Sequence, residues 1–264
     1  MKRRINLLYA AGLLIMCLPL FFSCSIHPVV YGSGNIVTGN ADYNDFSVVN
    51  AGPLCALTCR QGDYYEISVR ADDNVMEYIK LQKSGENLEI TLNEGFQYRD
   101  ITFAVDIVLP DLREVDIEGA SKARIEPFAA VQDVVLSASG ASRIEVIQGE
   151  APGVTVYLSG ASSLSGAVQC GKAALELSGA SRAELRGAGE EVRVEGSGAS
   201  QVYFKDFPSA RGSVSLDGAS FGQVYVGESL DVVLTGASQL EYYGSPKISF
   251  IEISGGSRIT SCSK

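Results

Sequence analysis

The sequence predicts an all-β fold, a parallel β-helix in which one short unit is stacked on the next. Three observations carry this. A tripeptide, Gly-Ala-Ser, returns at a nearly fixed period. The residues flanking it alternate between apolar and polar. The period is also too short to hold a helix. The tripeptide stands at Gly119-Ala120-Ser121, Gly140-Ala141-Ser142, Gly160-Ala161-Ser162, Gly179-Ala180-Ser181, Gly198-Ala199-Ser200, Gly218-Ala219-Ser220 and Gly236-Ala237-Ser238, and ends as Gly255-Gly256-Ser257. The leading glycines are 21, 20, 19, 19, 20, 18 and 19 residues apart. Such a period marks a solenoid.

The flanking columns define the unit. Four residues before each glycine stand Val115, Leu136, Val156, Leu175, Val194, Val214, Val232 and Ile251, all apolar. Two before it, and four after it, the residues are again mostly apolar. The positions between are mostly polar, as at Asp116, Glu176, Glu195, Lys122, Arg143 and Arg182. This period-two pattern reads as strand, corner, strand. A βαβ unit needs about thirty residues or more, so the units are β only. Eight rungs stacked at about 4.8 Å would run roughly 38 Å.

Each corner residue has a reason. Glycine tolerates positive φ and close backbone approach. Alanine is small enough to stack on its own copies. Serine can hydrogen-bond a neighbouring backbone group or the next serine. The motif therefore reads as a structural corner. A functional alternative is a ladder of hydroxyls presented to a ligand. A nucleophile elbow is a poor match, because an elbow is one serine between strand and helix with His and Asp partners.

The chain opens with a processing segment. Lys2-Arg3-Arg4 precedes an apolar run from Leu7 to Phe22 that ends at Ser23-Cys24. The run is too short for an ordinary membrane span and reads as a secretory signal peptide. Its end resembles a bacterial lipobox, with Phe21 and Phe22 in place of the usual Leu and small residue. That resemblance implies cleavage before Cys24 and lipidation of Cys24, hence a membrane anchor. Residues 1–23 are then the signal peptide and 24–35 a lipidated tether. No acidic run follows Cys24, which leaves either the periplasmic side of the outer membrane or the cell surface.

The chain of 264 residues carries a net charge of −10. Without its first 23 residues the charge is −13, from 18 basic and 31 acidic residues. Such a surface argues against nucleic acid. His27 is the only histidine, so a Ser-His-Asp triad and a His-rich metal site are both excluded. No cofactor is called for.

Residues 36–264 form the β-helix domain, with 36–112 as irregular early rungs plus a cap and 113–264 as the regular repeats. The early part lacks the period but holds short extended runs at 47–50, 54–60 and 66–70. Alternation recurs at Leu88, Ile90 and Leu92 and at Phe103, Val105, Ile107 and Leu109. Asp73 to Tyr78 could form a brief helical turn. Cys55 and Cys59 lie four apart in a strand, about 13 Å at 3.3 Å per residue, too far for a disulfide. An oxidising compartment permits cross-rung pairs for these, Cys170 and Cys262. Such residues more often serve as small buried apolar groups.

Gly32-Ser33-Gly34-Asn35-Ile36-Val37, Asp45-Phe46-Ser47-Val48, Gln61-Gly62-Asp63, Asp73-Asn74-Val75 and Asn87-Leu88-Glu89-Ile90, with the Gly-Ala-Ser ladder, resemble the head GIN domain family. Members of that family are labelled auto-transporter adhesins. The resemblance implies a right-handed single-stranded β-helix and offers no catalytic residues; the leading reading of the residues is a structural or adhesive envelope protein without catalysis.

Many β-helices degrade polysaccharides, using acids and bases aligned across rungs. The outward columns here read as mixed, with no carboxylate pair in register, so an enzyme is not expected. The candidate binding strip is the column just before each glycine: Ser139, Ser159, Ser178, Ser197, Asp217, Thr235 and Ser254. Its parity is opposite to the apolar columns, so it should face solvent. A groove lined by carboxylates and Tyr would favour a glycan-binding module. A uniform stack of short side chains would favour a structural role. The partner is then a glycan or the surface of a host or neighbouring cell.

Overall fold

A computed structural model of the chain describes residues 27–263. Cys24 and the signal segment lie outside the described residues. The early strands are β1 (Val29–Tyr31), β2 (Ile36–Ala41), β3 (Val48–Ala51), β4 (Ala56–Gln61), β5 (Glu66–Asp72), β6 (Ile79–Ser84), β7 (Asn87–Leu92), β8 (Gln97–Arg99) and β9 (Phe103–Leu109). One 3₁₀ turn, Met76–Tyr78, interrupts them. The regular part holds β10 (Glu114–Ile117), β11 (Lys122–Ile125), β12 (Phe128–Ala129), β13 (Val134–Ala138), β14 (Arg143–Leu158), β15 (Ser163–Leu177), β16 (Arg182–Gly196), β17 (Gln201–Leu216), β18 (Phe221–Leu234), β19 (Gln239–Tyr243), β20 (Lys247–Ile253) and β21 (Arg258–Cys262).

From β10 onward every pairing is parallel, and each rung sits on the next in register. The fold is the expected parallel β-helix. Its eight corners delimit seven full turns. Corner residues stack on their own copies: the Ala180 N–H donates to the Gly160 carbonyl at 2.7 Å and the Ala199 N–H to that of Gly179 at 2.7 Å. The backbone ladder therefore runs through the bend without a gap, which keeps its polar groups satisfied. Gly179 shows why glycine is fixed there. Its φ is +73°, and a Cβ would lie 2.6 Å from the Gly160 carbonyl oxygen. The other bends of each turn are less regular. Register shifts occur between Val146 and Gly149, Glu184 and Gly189, and Phe204 and Pro208. These bends absorb the variation in period.

Apolar columns fill the interior. Val115, Leu136, Val156, Leu175, Val194, Val214 and Val232 are all buried. Where the column two before the corner holds Gly196, the Leu216 side chain of the next rung takes the space. The last rung differs. Ile251 is 50% exposed and Ile253 41% exposed, because nothing described stacks on β20.

The cap is not a run of wound rungs. β3 and β4 make one rung beneath β10 and β11, and β7 and β9 pair parallel beneath those. Beyond them the direction reverses. β5 pairs antiparallel with β9 and β2, and β6 forms an antiparallel hairpin with β7. The tether also ends earlier than expected. β1 pairs with β8, and Gly34 N–H donates to Asp72 at 2.7 Å, so residues 29–35 belong to the folded body. The expected boundary at residue 36 is corrected to about Val29. Runs of short polar residues there hid a segment held by the buried Asp72 carboxylate and by Asp73 and Asn74.

Candidate functional site: a groove along the rungs

Two outward columns lie side by side on the wall before each corner. One is the strip. Ser159, Ser178, Ser197, Asp217 and Ser254 are exposed, and Ser139 and Thr235 are half-buried. The other lies two residues earlier in each rung: Asp116, Ser137, Tyr157, Glu176, Glu195 and Ser215. The floor between the columns, at Ala138, Leu158, Leu177 and Gly196, is concave. It forms an open groove of about 500 Å³ that brings together Ser139, Ser159, Ser178 and Ser197 with Asp116, Tyr157, Glu176 and Glu195.

Asp217, Thr235 and Ser254 are outside this groove. Asp217 and Thr235 engage each other instead: the Thr235 hydroxyl donates to Asp217 and, with the Gly218 amide, holds that carboxyl below its usual range. In the groove, Tyr157 is 43% exposed and presents its ring to solvent. Asp116 is partly buried, and that desolvation, with Glu114 and Glu118 nearby, pushes its carboxyl upward.

The parallel register sets Glu176 directly beside Glu195. The expectation of no carboxylate pair in register is therefore corrected. The 19-residue step between their corners makes them partners, and the spacing alone would have revealed this. Glu195 accepts from Arg193 Nε at 3.0 Å. Both carboxylates project from one wall. Glycoside hydrolysis places its two carboxyl groups on either side of the scissile bond.

The corner serines do not serve as a ligand ladder. Ser121, Ser142, Ser162, Ser181, Ser200, Ser220 and Ser238 are all buried. Ser121 donates to the Gly52 carbonyl at 2.6 Å and accepts from the Cys55 N–H at 3.1 Å. Ser200 donates to Ser220 at 3.1 Å. Their offset of two from the glycine shares the parity of the apolar columns, and that parity was the sign to read.

Cys55 and Cys59 are buried free thiols; they are not bonded to each other, as their spacing implied, nor across rungs. Cys170 and Cys262 are also free and half-buried. Burial raises both Cys55 and Cys59 from 9.0 to about 12. Among the described residues no group of three or more His, Cys, Asp or Glu gathers closely enough to hold a metal.

The fold is a β-solenoid with an open groove along its rungs, walled by hydroxyls, carboxylates and a tyrosine. The chain belongs to the family described as "Putative auto-transporter adhesin, head GIN domain", whose profile matches residues 45–246. Among solved structures it is similar to a putative lipid binding protein from Parabacteroides distasonis, at 19% identity and a TM-score of 0.82, covering 89% of this chain and 99% of that one. It is also similar to a putative adhesin from Parabacteroides merdae, at 16% identity and a TM-score of 0.83, with 89% and 99% covered. A putative adhesin from P. distasonis matches at 16% identity and a TM-score of 0.80, with 89% and 100% covered. At these identities the likeness shows the fold. No curated protein matches the sequence. The family description points to the cell surface or envelope.

Proposed function

We propose that the chain is a non-catalytic lipoprotein of the outer membrane, anchored through Cys24, that acts as an adhesin by laying an extended glycan in the groove. The observation that carries this is the pairing of the serine strip with Asp116, Tyr157, Glu176 and Glu195 along one concave wall. Hydroxyls and carboxylates offer hydrogen bonds to sugar hydroxyls, and the Tyr157 face offers a stacking surface. Rungs at about 4.8 Å repeat at close to the length of one pyranose unit. The short side chains of the strip carry little rotamer freedom, which lowers the ordering cost of binding. The one-sided placement of Glu176 and Glu195 supports binding rather than hydrolysis. The family description and the relatives described as adhesins support the same reading.

The test replaces Ser159, Ser178 and Ser197 together with Lys and screens the mature chain against glycans and host matrix. The expected result is lost attachment with an unchanged melting temperature. Unchanged attachment by the folded variant refutes the groove. For the anchor, Cys24→Ala should abolish incorporation of labelled palmitate, and continued incorporation refutes lipidation at Cys24.

A further inference from the structure

The groove does not end with the regular rungs. Asp116 also lines a second concavity of about 290 Å³, beside Glu89, Thr91 and Glu118. Those three residues in turn line a larger one of about 820 Å³ at the cap. The wall of this last space is different in kind: Phe96 and Tyr98 stand on it, with Lys80 and Glu94. Behind them Tyr78 meets Phe96 edge-on at 4.9 Å between ring centroids, and Tyr98 at 5.9 Å. Phe96 and Tyr98 are half-buried, so each keeps ring surface toward the cavity. The Tyr98 hydroxyl donates to the Asn93 carbonyl at 2.8 Å, which fixes the ring. The strand carrying Tyr98, β8, is held by β1.

We infer that this cap-end cavity is a terminal subsite, in which the Phe96 and Tyr98 rings stack on the end sugar of a neutral glycan lying in the groove. The inference rests on the proposed glycan groove and adds where that chain stops. An aromatic face attracts the apolar C–H face of a pyranose, while surrounding polar groups meet its hydroxyls. Three carboxylates, Glu89, Glu94 and Glu118, face one cation, Lys80. A uronate or other acidic end sugar would enter against that field, so the site selects neutral ends. The stack of parallel rungs ends here: Lys80 and Gln82 on the cavity wall belong to β6, which pairs antiparallel with β7.

The experiment uses the mature chain in detergent, labelled with 3-fluorotyrosine, and neutral hexasaccharides of glucose, mannose, galactose, xylose and N-acetylglucosamine. Each is tested with and without a terminal uronic acid. The Tyr98 resonance is assigned with Tyr98→Phe. At least one neutral hexasaccharide should move it, and the uronate-capped form should not. Phe96→Ala and Phe96→Leu should each weaken that hexasaccharide about tenfold, the Leu variant keeping the cavity wall filled. Binding of the long polymer should fall less, since its internal units still occupy the rungs. A Tyr98 resonance unmoved by every hexasaccharide overturns the subsite, as does full affinity in both folded Phe96 variants. The Ser159, Ser178 and Ser197 triple variant separates the two ideas. If it keeps polymer binding, the groove falls, and the Tyr98 resonance still decides the subsite.

Discussion

Replacing Gly179 with Ala tests the corner, the feature on which the solenoid depends. Two costs arise. A residue with a Cβ at φ +73° is strained by about 1–2 kcal/mol. The new Cβ would also lie 2.6 Å from the Gly160 carbonyl oxygen, where ordinary contact begins at 3.4 Å. Backbone must give way, and the carbonyl in question accepts the 2.7 Å bond from Ala180. Loss of that bond adds about 1 kcal/mol, and residual crowding about another. The sum is about 3–4 kcal/mol. At about 2–4 °C per kcal/mol for a chain of this size, melting should fall by roughly 6–16 °C. Gly85 is the control: its φ is +59° and nothing stands within 4 Å of a Cβ there. Gly85→Ala should cost only the conformational part, about 1–2 kcal/mol. Thermal unfolding of both variants measures the difference, and amide exchange at Ala180 and Ala199 locates it. If the two variants melt together, close stacking at the corner contributes nothing and the reasoning is wrong.

Other substitutions probe the core, the serines and the thiols. Val194→Asp buries a charge in a central rung and should cost several kcal/mol, whereas Glu195→Lys, outward and about half exposed, should cost about 0.5 kcal/mol or less; equal melting temperatures would contradict the register. Ser121→Ala strands the Gly52 carbonyl and the Cys55 N–H and should cost about 1–3 kcal/mol, while Ser142, whose buried hydroxyl has no hydrogen-bond partner, should tolerate Ala with little change by urea denaturation. Cys55 and Cys59 should resist a thiol reagent at pH 8 in the folded chain, with Cys262 reacting first. Because their folded values are raised above 9.0, the stability they lend is whole below about pH 9 and lost as pH climbs toward 12; Cys55→Ala plus Cys59→Ala should flatten that alkaline decline in a melting series.

The regular turns were legible because one bend is chemically unforgiving. A positive φ and a 2.6 Å clearance leave glycine as the residue that fits, so the period is written in the sequence. The strip was legible by parity from the same glycine. The neighbouring column was not read as its partner, although Asp116, Tyr157, Glu176 and Glu195 share that parity. A groove is a property of two columns and the floor between them, and a single column does not display it. The cap was not legible in detail. Its strands reverse direction at turns such as Gly85, where no period announces which strand pairs with which. The hold of Asp72 on Gly34 and Thr102 joins residues far apart in the chain, and nothing local to Ser33 or Gly34 hints at it.

The pairing of β1 with β8 has a mechanical meaning. If the proposed anchor at Cys24 and the proposed grip along the groove both hold, the chain is pulled from two places. The load enters the fold at Pro28, whose carbonyl accepts from Gln97 N–H at 2.9 Å, and passes through Val29–Tyr31 into Gln97–Arg99. Val30 lies opposite Tyr98 in that ladder. Under those two proposals, tension on the tether is felt first by the strand that carries an aromatic ring of the cap-end cavity, so grip and anchorage would share one short seam of backbone bonds, and the strength of that seam would bound the force the molecule can bear before its hold on a partner changes.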